Sequence, residues 1–244
     1  MPIDWRVQLY QCIETTQSYG HEAANNGEPE GFVIQALMQE GGKGRHGNQW
    51  ISPIGNLYMS ALLRPDCGIE RAGELSFVAA LALSKALDDY IDIDKHKKTL
   101  KWPNDILING LKLSGILLES NIKNNKLDSI ILGMGVNIFQ SPELAVNLND
   151  VAEIPVYVNT VRDNILDKLS YYYTFWQKKG FAPIREEWLK QAHGLGGAMT
   201  ARLPDKSFQG NFTGITENAS LILQMDNGEE KVITAAEVHF RESV

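Results

Sequence analysis

Cysteine is scarce: Cys12 and Cys67 are the only two in 244 residues, and they stand in unrelated contexts. Such a pair makes neither a disulfide framework nor a zinc motif, so the expected setting is a reducing cytoplasm. Long hydrophobic runs are missing too. Nothing approaches the roughly 18 consecutive apolar residues of a membrane span, and Met1-Pro2-Ile3-Asp4-Trp5-Arg6 lacks the apolar core of a signal peptide. Basic residues are in deficit, with 23 Lys and Arg against 30 Asp and Glu and a net charge of −7. That balance argues against nucleic-acid binding, which calls for a basic face. The histidines His21, His46, His96, His193 and His239 share no metal-ligand spacing and read as surface or hydrogen-bonded residues, His46 excepted by its location. No Ser-His-Asp or Cys-His nucleophile pattern stands out, and neither does an internal repeat or a low-complexity tract.

What the chain does have is concentrated in residues 101–119. Lys101 ends an apolar run and meets a Pro103-Asn104-Asp105 turn. Ile106 to Ile108 then leads through Asn109-Gly110 into Leu113 to Leu118, preceded by Lys112. Asn-Gly between β-branched runs is the strongest short hairpin signal. Two cations and a polar turn are thus presented on a stiff sheet, which suits chemistry on a phosphate-bearing ligand.

The rest of the chain supplies a frame. Phe32 to Met38 is apolar, and Asn56 to Leu63 reads as a strand; Glu70 to Tyr90 has a helical pattern among many alanines. Strands are expected at Thr99–Trp102, Ile106–Ile108, Leu113–Leu118 and Ser129–Ile138, with a lysine- and asparagine-rich loop at Asn121–Asp128 that is expected to move and to order over bound ligand. Thr160 to Lys179 is helical, its Tyr171–Trp176 aromatic stripe reading as core packing, and Pro183 to Ala192 forms a second helix. The acidic cluster Asp88, Asp89, Asp92 and Asp94 reads as a solvated helix end. His193-Gly194-Leu195-Gly196-Gly197 is the best boundary in the chain. Beyond it, Ala198–Leu203, Gly210–Ile215, Leu221–Met225 and Lys231–Ile233 are short strands with turns at Pro204-Asp205 and Asp226-Asn227-Gly228, the pattern of a small β-barrel. The expected division is therefore 1–194 and 195–244.

Gly42-Lys43-Gly44-Arg45-His46-Gly47 spells G-x-G-x-x-G, yet a dinucleotide fold needs a helix to start within the glycines. Asn48-Gln49-Trp50-Ile51-Ser52-Pro53 cannot supply one. Glycines instead let backbone N–H groups converge on an anion while Lys43 and Arg45 add full charge. Each cation about 4 Å from a phosphate oxygen contributes about 4 kcal/mol at an effective dielectric near 20.

Gln39-x-x-Gly42-Lys43-Gly44-Arg45-His46-Gly47-x-x-Trp50-x-Ser52-Pro53, Gly55-Asn56-Leu57-Tyr58, Lys101-Trp102-Pro103-Asn104-Asp105, Lys112-Leu113-x-Gly115-Ile116-Leu117-x-Glu119 and Gly133-x-Gly135-x-Asn137 succeed one another in the order of the biotin–protein ligases. The chain resembles that family over about residues 10–140, and its tail resembles it through the small barrel pattern. The resemblance implies an α+β fold: a mixed β-sheet flanked by helices, like a class II synthetase, with a C-terminal SH3-like β-barrel. It implies biotinyl-5′-adenylate made from biotin and Mg-ATP, with Mg²⁺ carried by the nucleotide and no protein metal site. Biotin then passes to one lysine of a biotin carboxyl carrier domain.

By position, Lys101 resembles the lysine that bridges the biotin carboxylate and the α-phosphate, while Arg45 and Lys43 resemble the loop cations that close over it. Thr15, Thr16, Gln17 and Gln39 match the segments that grip the ureido ring, with Gly44 beside them and Gly115 leaving room for the ring system. His46, Trp50, Asn104, Lys112 and Asn137 correspond to the nucleotide end. Glu119 is expected either near the nucleotide and Mg²⁺ or as a charge partner of Lys112. The family has arginine where Lys43, His46 and Asn48 stand and asparagine where Gln17 stands, so this loop carries less charge and a weaker grip on the adenylate is expected. The ligase motifs start within about 15 residues of Met1, so the helix-turn-helix of the repressor members is not expected. A lipoate or other acyl ligase on the same fold, and a non-catalytic biotin-binding protein, stay open as alternatives, as does pairing of two copies by a strand edge.

Overall fold

The computed structural model describes residues 3–203, 205–234 and 237–240. Seven strands form the main sheet: β1 (Arg6–Ile13), β2 (Phe32–Gln39), β3 (Leu57–Leu63), β4 (Lys98–Lys101), β5 (Asp105–Ile108), β6 (Leu111–Lys123) and β7 (Lys126–Val136). Their spatial order is β1-β2-β3-β7-β6-β5-β4. β1 and β2 run parallel because helix α1 (Thr16–Asn25) crosses between them, and the other neighbours are antiparallel. The fold is the expected α+β arrangement.

Burial explains which elements the sequence announced. β3 is buried at every position, so it reads as an unbroken apolar run. α2 (Glu74–Leu87) is sandwiched between the sheet and helices α3 (Val158–Lys179) and α4 (Phe181–Leu189), and is apolar nearly all round. Tyr172, Tyr173 and Trp176 are core residues as expected, whereas Tyr171 of the same stripe is 61% exposed. β1 and α1 carried no such signal: β1 is a largely exposed edge strand, and α1 buries small or polar residues. Gly20 lets α1 approach closely, since a Cβ there would lie 2.6 Å from Ile131.

The Asn121–Asp128 segment departs from expectation. It is not a loop, because β6 and β7 continue through it to a two-residue turn at Asn124 and Asn125, whose φ values are 52° and 57°. Asparagine tolerates this left-handed conformation, and two such residues make a primed hairpin turn. The Asn109-Gly110 turn forms as expected, with φ of 51° and 84°.

The C-terminal strands β8 (Ala198–Arg202), β9 (Ser207–Ile215), β10 (Leu221–Gln224), β11 (Glu230–Ile233) and β12 (Glu237–Phe240) form an antiparallel sheet in the order β11-β10-β9-β8-β12. β12 had not been anticipated. Pro204, in one expected turn, lies outside the described residues. One contiguous core runs from Leu75 and Trp102 to Met199 and Phe212, across both sheets. The stretch expected as a boundary runs beside β4: Leu100 N–H donates to Gln191 O and His193 N–H to Leu100 O, both at 2.8 Å. Among the described residues, no helix is long and apolar enough to cross a membrane.

Candidate active site

The β4–β5 turn is a rigid corner. Lys101 ends β4 and faces Asp105 across the ladder, with the cis Trp102–Pro103 bond and Asn104 between them. Asn104 latches onto β6 twice: its Nδ2 donates to Ile116 O at 2.5 Å, and Ile116 N–H donates to Asn104 O at 2.9 Å. Trp102 is fully buried and donates its indole N–H to Ala219 O of the C-terminal sheet at 3.4 Å. Lys112, at the start of β6, lies 2.7 Å from an Asp105 oxygen. His193 sits beside this corner, where burial and then the charges of Lys101 and Lys97 hold its pKa below the ordinary 6.5.

The glycine-rich segment folds back on itself as a hairpin. Gln39 pairs with Ser52 and Lys43 with Gln49; Trp50 N–H donates to Gly42 O at 2.8 Å and Gly44 N–H to Asn48 O at 2.7 Å. A Cβ at Gly42 would collide with Trp50 O, so the two arms close only around glycine. The tip, Arg45–Gly47, is a single tight turn with His46 at φ 55°. Arg45 lines the cavity of the site, and its guanidinium makes no hydrogen bond or ion pair among the described residues; burial lowers its pKa, and the nearby Asp105 carboxylate opposes that.

Opposite this hairpin stands the first turn of α1. Thr15 caps the helix by accepting from Gln17 N–H at 3.3 Å, and Thr16 N–H donates to Gln39 Oε1 at 2.7 Å. Ser60 Oγ of β3 lies 2.8 Å from Thr16 Oγ1 and 2.7 Å from Gln17 Oε1.

A cavity of about 200 Å³ lies between these pieces, lined by Thr15, Thr16, Gln17, Gln39, Lys43, Gly44, Arg45, His46, Trp50, Lys101, Asn104, Lys112 and Gly115. The structure thus brings all but one of the anticipated residues together. Asn137 is the exception. It is buried beneath the site, where its amide faces Lys112 O and Val146 O at 3.4 and 3.3 Å and braces the strand ends. Two contacts also differ from expectation. Glu119 does not pair with Lys112: it accepts from Gln17 Nε2 at 2.8 Å and meets His21 at 3.0 Å, while Lys112 turns to Asp105. The space above Gly115 is filled by Trp50 and Lys112, each about 3.1–3.2 Å from where a Cβ would sit.

Several lining residues had not been anticipated as part of the site. Gly135 is one: it faces the anticipated Gly115 in the β6–β7 ladder, and the two form a flat shelf on which the Trp50 indole lies, with Lys112 Nζ 5.2 Å from the ring centroid. Tyr58 donates to Pro53 O at 2.8 Å and stays neutral, its pKa pushed up to about 12 chiefly by burial. Asp105, Gly133 and Val238 also reach the cavity. The sequence carried a signal for the glycines in their Gly-x-Gly spacing, but Val238 arrives from a strand far along the chain. Four cations, Lys43, Arg45, Lys101 and Lys112, therefore converge at one small site of a chain with net charge −7. A wider groove of about 1050 Å³ adjoins it, reaching from the hairpin past Glu119 to Asn218–Ser220.

The Biotin/lipoate A/B protein ligase family model matches residues 9–137, and the Biotin protein ligase C terminal domain model matches residues 194–241. Among curated relatives, the bifunctional ligase/repressor BirA of Bacillus subtilis (strain 168) is 34% identical over 235 residues, covering 93% of this chain and 71% of that protein. The biotin--[acetyl-CoA-carboxylase] ligase of Paracoccus denitrificans is 38% identical over 216 residues, covering 85% of this chain and 89% of the relative. The biotin protein ligase from Aquifex aeolicus in complex with biotin and ATP superposes with a TM-score of 0.81 at 26% identity, covering 98% of this chain and 99% of that one. The chain belongs to the biotin/lipoate A/B protein ligase family, as a biotin–protein ligase.

Proposed function

We propose that this ligase works in two steps at the cavity between the glycine-rich hairpin and the β4–β5 corner. In the first, a biotin carboxylate oxygen bonds to the α-phosphorus of Mg-ATP, the bond to the β-phosphate oxygen breaks, and pyrophosphate leaves. In the second, a lysine amine of a carboxyl carrier domain attacks the acyl carbon of biotinyl-5′-adenylate, AMP leaves, and the amine loses its proton. The observation that carries this reading is the convergence of Lys43, Arg45, Lys101 and Lys112 with the buried Thr15, Thr16 and Gln17 and the half-buried Gln39.

Two anions must approach in the first step, and fixed cations lower that barrier because they need no reorganisation. Lys101, on a latched corner, is the fixed one. Lys43 and Arg45 ride on the hairpin, which closes over the adenylate and keeps water from the mixed anhydride. Trp50, Asn104, Lys112 and His46 face the nucleotide end. The hydroxyls and amides around Thr16 and Gln39 suit the N–H and C=O groups of a ureido ring. A dithiolane would leave them unpaired, so lipoate is rejected. Mg²⁺ enters with the nucleotide as part of the substrate. The wider groove admits the carrier lysine.

The division at residues 1–194 and 195–244 is supported by where the two family matches fall. A cytoplasmic setting suits the two free cysteines. Mass spectrometry of the protein with Mg-ATP and either biotin or lipoate, without carrier, tests the reading. Biotinyl-AMP from biotin alone is expected; lipoyl-AMP, or no adenylate from either acid, overturns it.

A further inference from the structure

We propose that Glu119 is a positioning residue for biotin, holding the first turn of α1 against the cavity through Gln17. The inference rests on the ligase reading above and concerns a residue that lies outside the cavity lining, on the side of the adjoining groove.

Gln17 and His21 stand one helical turn apart on α1 and project from the same face. Both reach one oxygen of Glu119: Gln17 Nε2 at 2.8 Å and His21 Nε2 at 3.0 Å. Glu119 and Asn121 are two residues apart on β6, so they share a face of the sheet. Asn121 Oδ1 meets the other ring nitrogen of His21 at 2.8 Å, and its Nδ2 donates to Ser129 Oγ on β7 at 3.0 Å. The helix is thereby clipped to the sheet at a point just behind the cavity.

Gln17 passes that clip on to the ligand side. It is 3% exposed, and its amide is engaged at both ends, by Glu119 at Nε2 and by Ser60 Oγ at Oε1. Gly133 lies directly beneath, where a Cβ would come within 2.7 Å of Oε1, so the side chain has one place to lie. The next residue back, Thr16, is tied to Gln39 and Ser60. Removing the Glu119 carboxylate would orphan a buried amide and free the turn that carries Thr15, Thr16 and Gln17. The pair with His21 is about a third exposed at each partner and adds little by itself; the charge-assisted bond to Gln17, buried at its Gln17 end, is the part that positions.

The test is biotin titration calorimetry on the full chain, with separate KM values for biotin and ATP from biotin-dependent pyrophosphate exchange and a thermal midpoint for each variant. Glu119→Ala should weaken biotin binding about 10- to 100-fold, the loss of one hydrogen bond to a charged group. The KM for ATP should stay within about twofold. Glu119→Gln keeps an oxygen acceptor for Gln17 and should rescue binding to within about threefold. In a Gln17→Met background Glu119→Ala should add less than about twofold, because the two act as one unit. Should Glu119→Ala fail to fold, Glu119→Met, which keeps the volume and removes the acceptor, takes its place. Unchanged biotin affinity overturns the inference, and so do equal losses for biotin and ATP or full additivity with Gln17→Met. A wild-type chain that binds no biotin overturns the ligase reading instead.

Discussion

Gly135→Ala is the sharpest probe of the proposed nucleotide end. A Cβ at this position would lie 2.5, 2.6 and 2.9 Å from three atoms of the Trp50 indole, where ordinary contact begins at 3.4 Å. The ring must therefore rise by roughly 1 Å, and the hairpin that carries Lys43 and Arg45 rises with it. A misplacement of this size costs up to about 10²-fold in rate, so kcat/KM for ATP in biotin-dependent pyrophosphate exchange should fall about 10- to 100-fold, or about 1.4–2.7 kcal/mol. Stability should barely change, because Trp50 is on a loop and alanine restricts the unfolded chain more than glycine does. Gly115→Ala should do less, its closest Trp50 atom being 3.1 Å away, and Gly214→Ala, with nothing nearer than 3.8 Å, should be silent. Exchange by Gly135→Ala within twofold of wild type would refute the shelf as the seat of the lid.

Lys101→Ala should slow adenylate formation by about 10²- to 10³-fold, the effect of removing one fixed transition-state charge; near-normal pyrophosphate exchange would remove Lys101 from the mechanism. Trp102→Phe removes the pyrrole half of the buried indole with its N–H, leaving a small cavity and Ala219 O without its donor, and urea denaturation should report a loss of about 1.5–3 kcal/mol; an unchanged midpoint would show that this link between the sheets carries no energy. His193 titrates below its ordinary 6.5 in the folded chain because it is partly buried and faces Lys101 and Lys97. As pH falls through 6.5 the unfolded chain takes up a proton first, so stability should decline there until the folded-state pKa is passed. His193→Gln should flatten that decline in denaturation curves recorded at pH 5.5 and pH 7.5, and an equal slope in both proteins would assign it elsewhere.

The sequence by itself determined what depends on near neighbours. Asn109-Gly110 turns because both residues accept a left-handed backbone. The glycine-rich segment opens no helix because Asn48 to Pro53 cannot continue one, and α2 is legible because it is apolar nearly all round. The cations of the site were legible for the same reason, since each sits in a short motif that keeps its meaning out of context. Asn121–Asp128 was misread because asparagine and lysine are as common in loops as in an exposed hairpin, and only pairing with the opposite strand separates the two.

Tertiary structure decided the partners. Lys112 meets Asp105 and not Glu119, because β5 and β6 bring the first pair to one end of the ladder while α1 lies over the second. Asn137 falls beneath the cavity and not into it, since the carbonyls of Lys112 and Val146 converge there and claim its amide. Val238 reaches the cavity from β12, far along the chain from the motifs that carry the site. Trp50 rests on Gly115 and Gly135 only because antiparallel register sets two distant glycines side by side. Local propensity acts over a few bonds, whereas these contacts are made by the topology that folds strands far apart in sequence into one sheet.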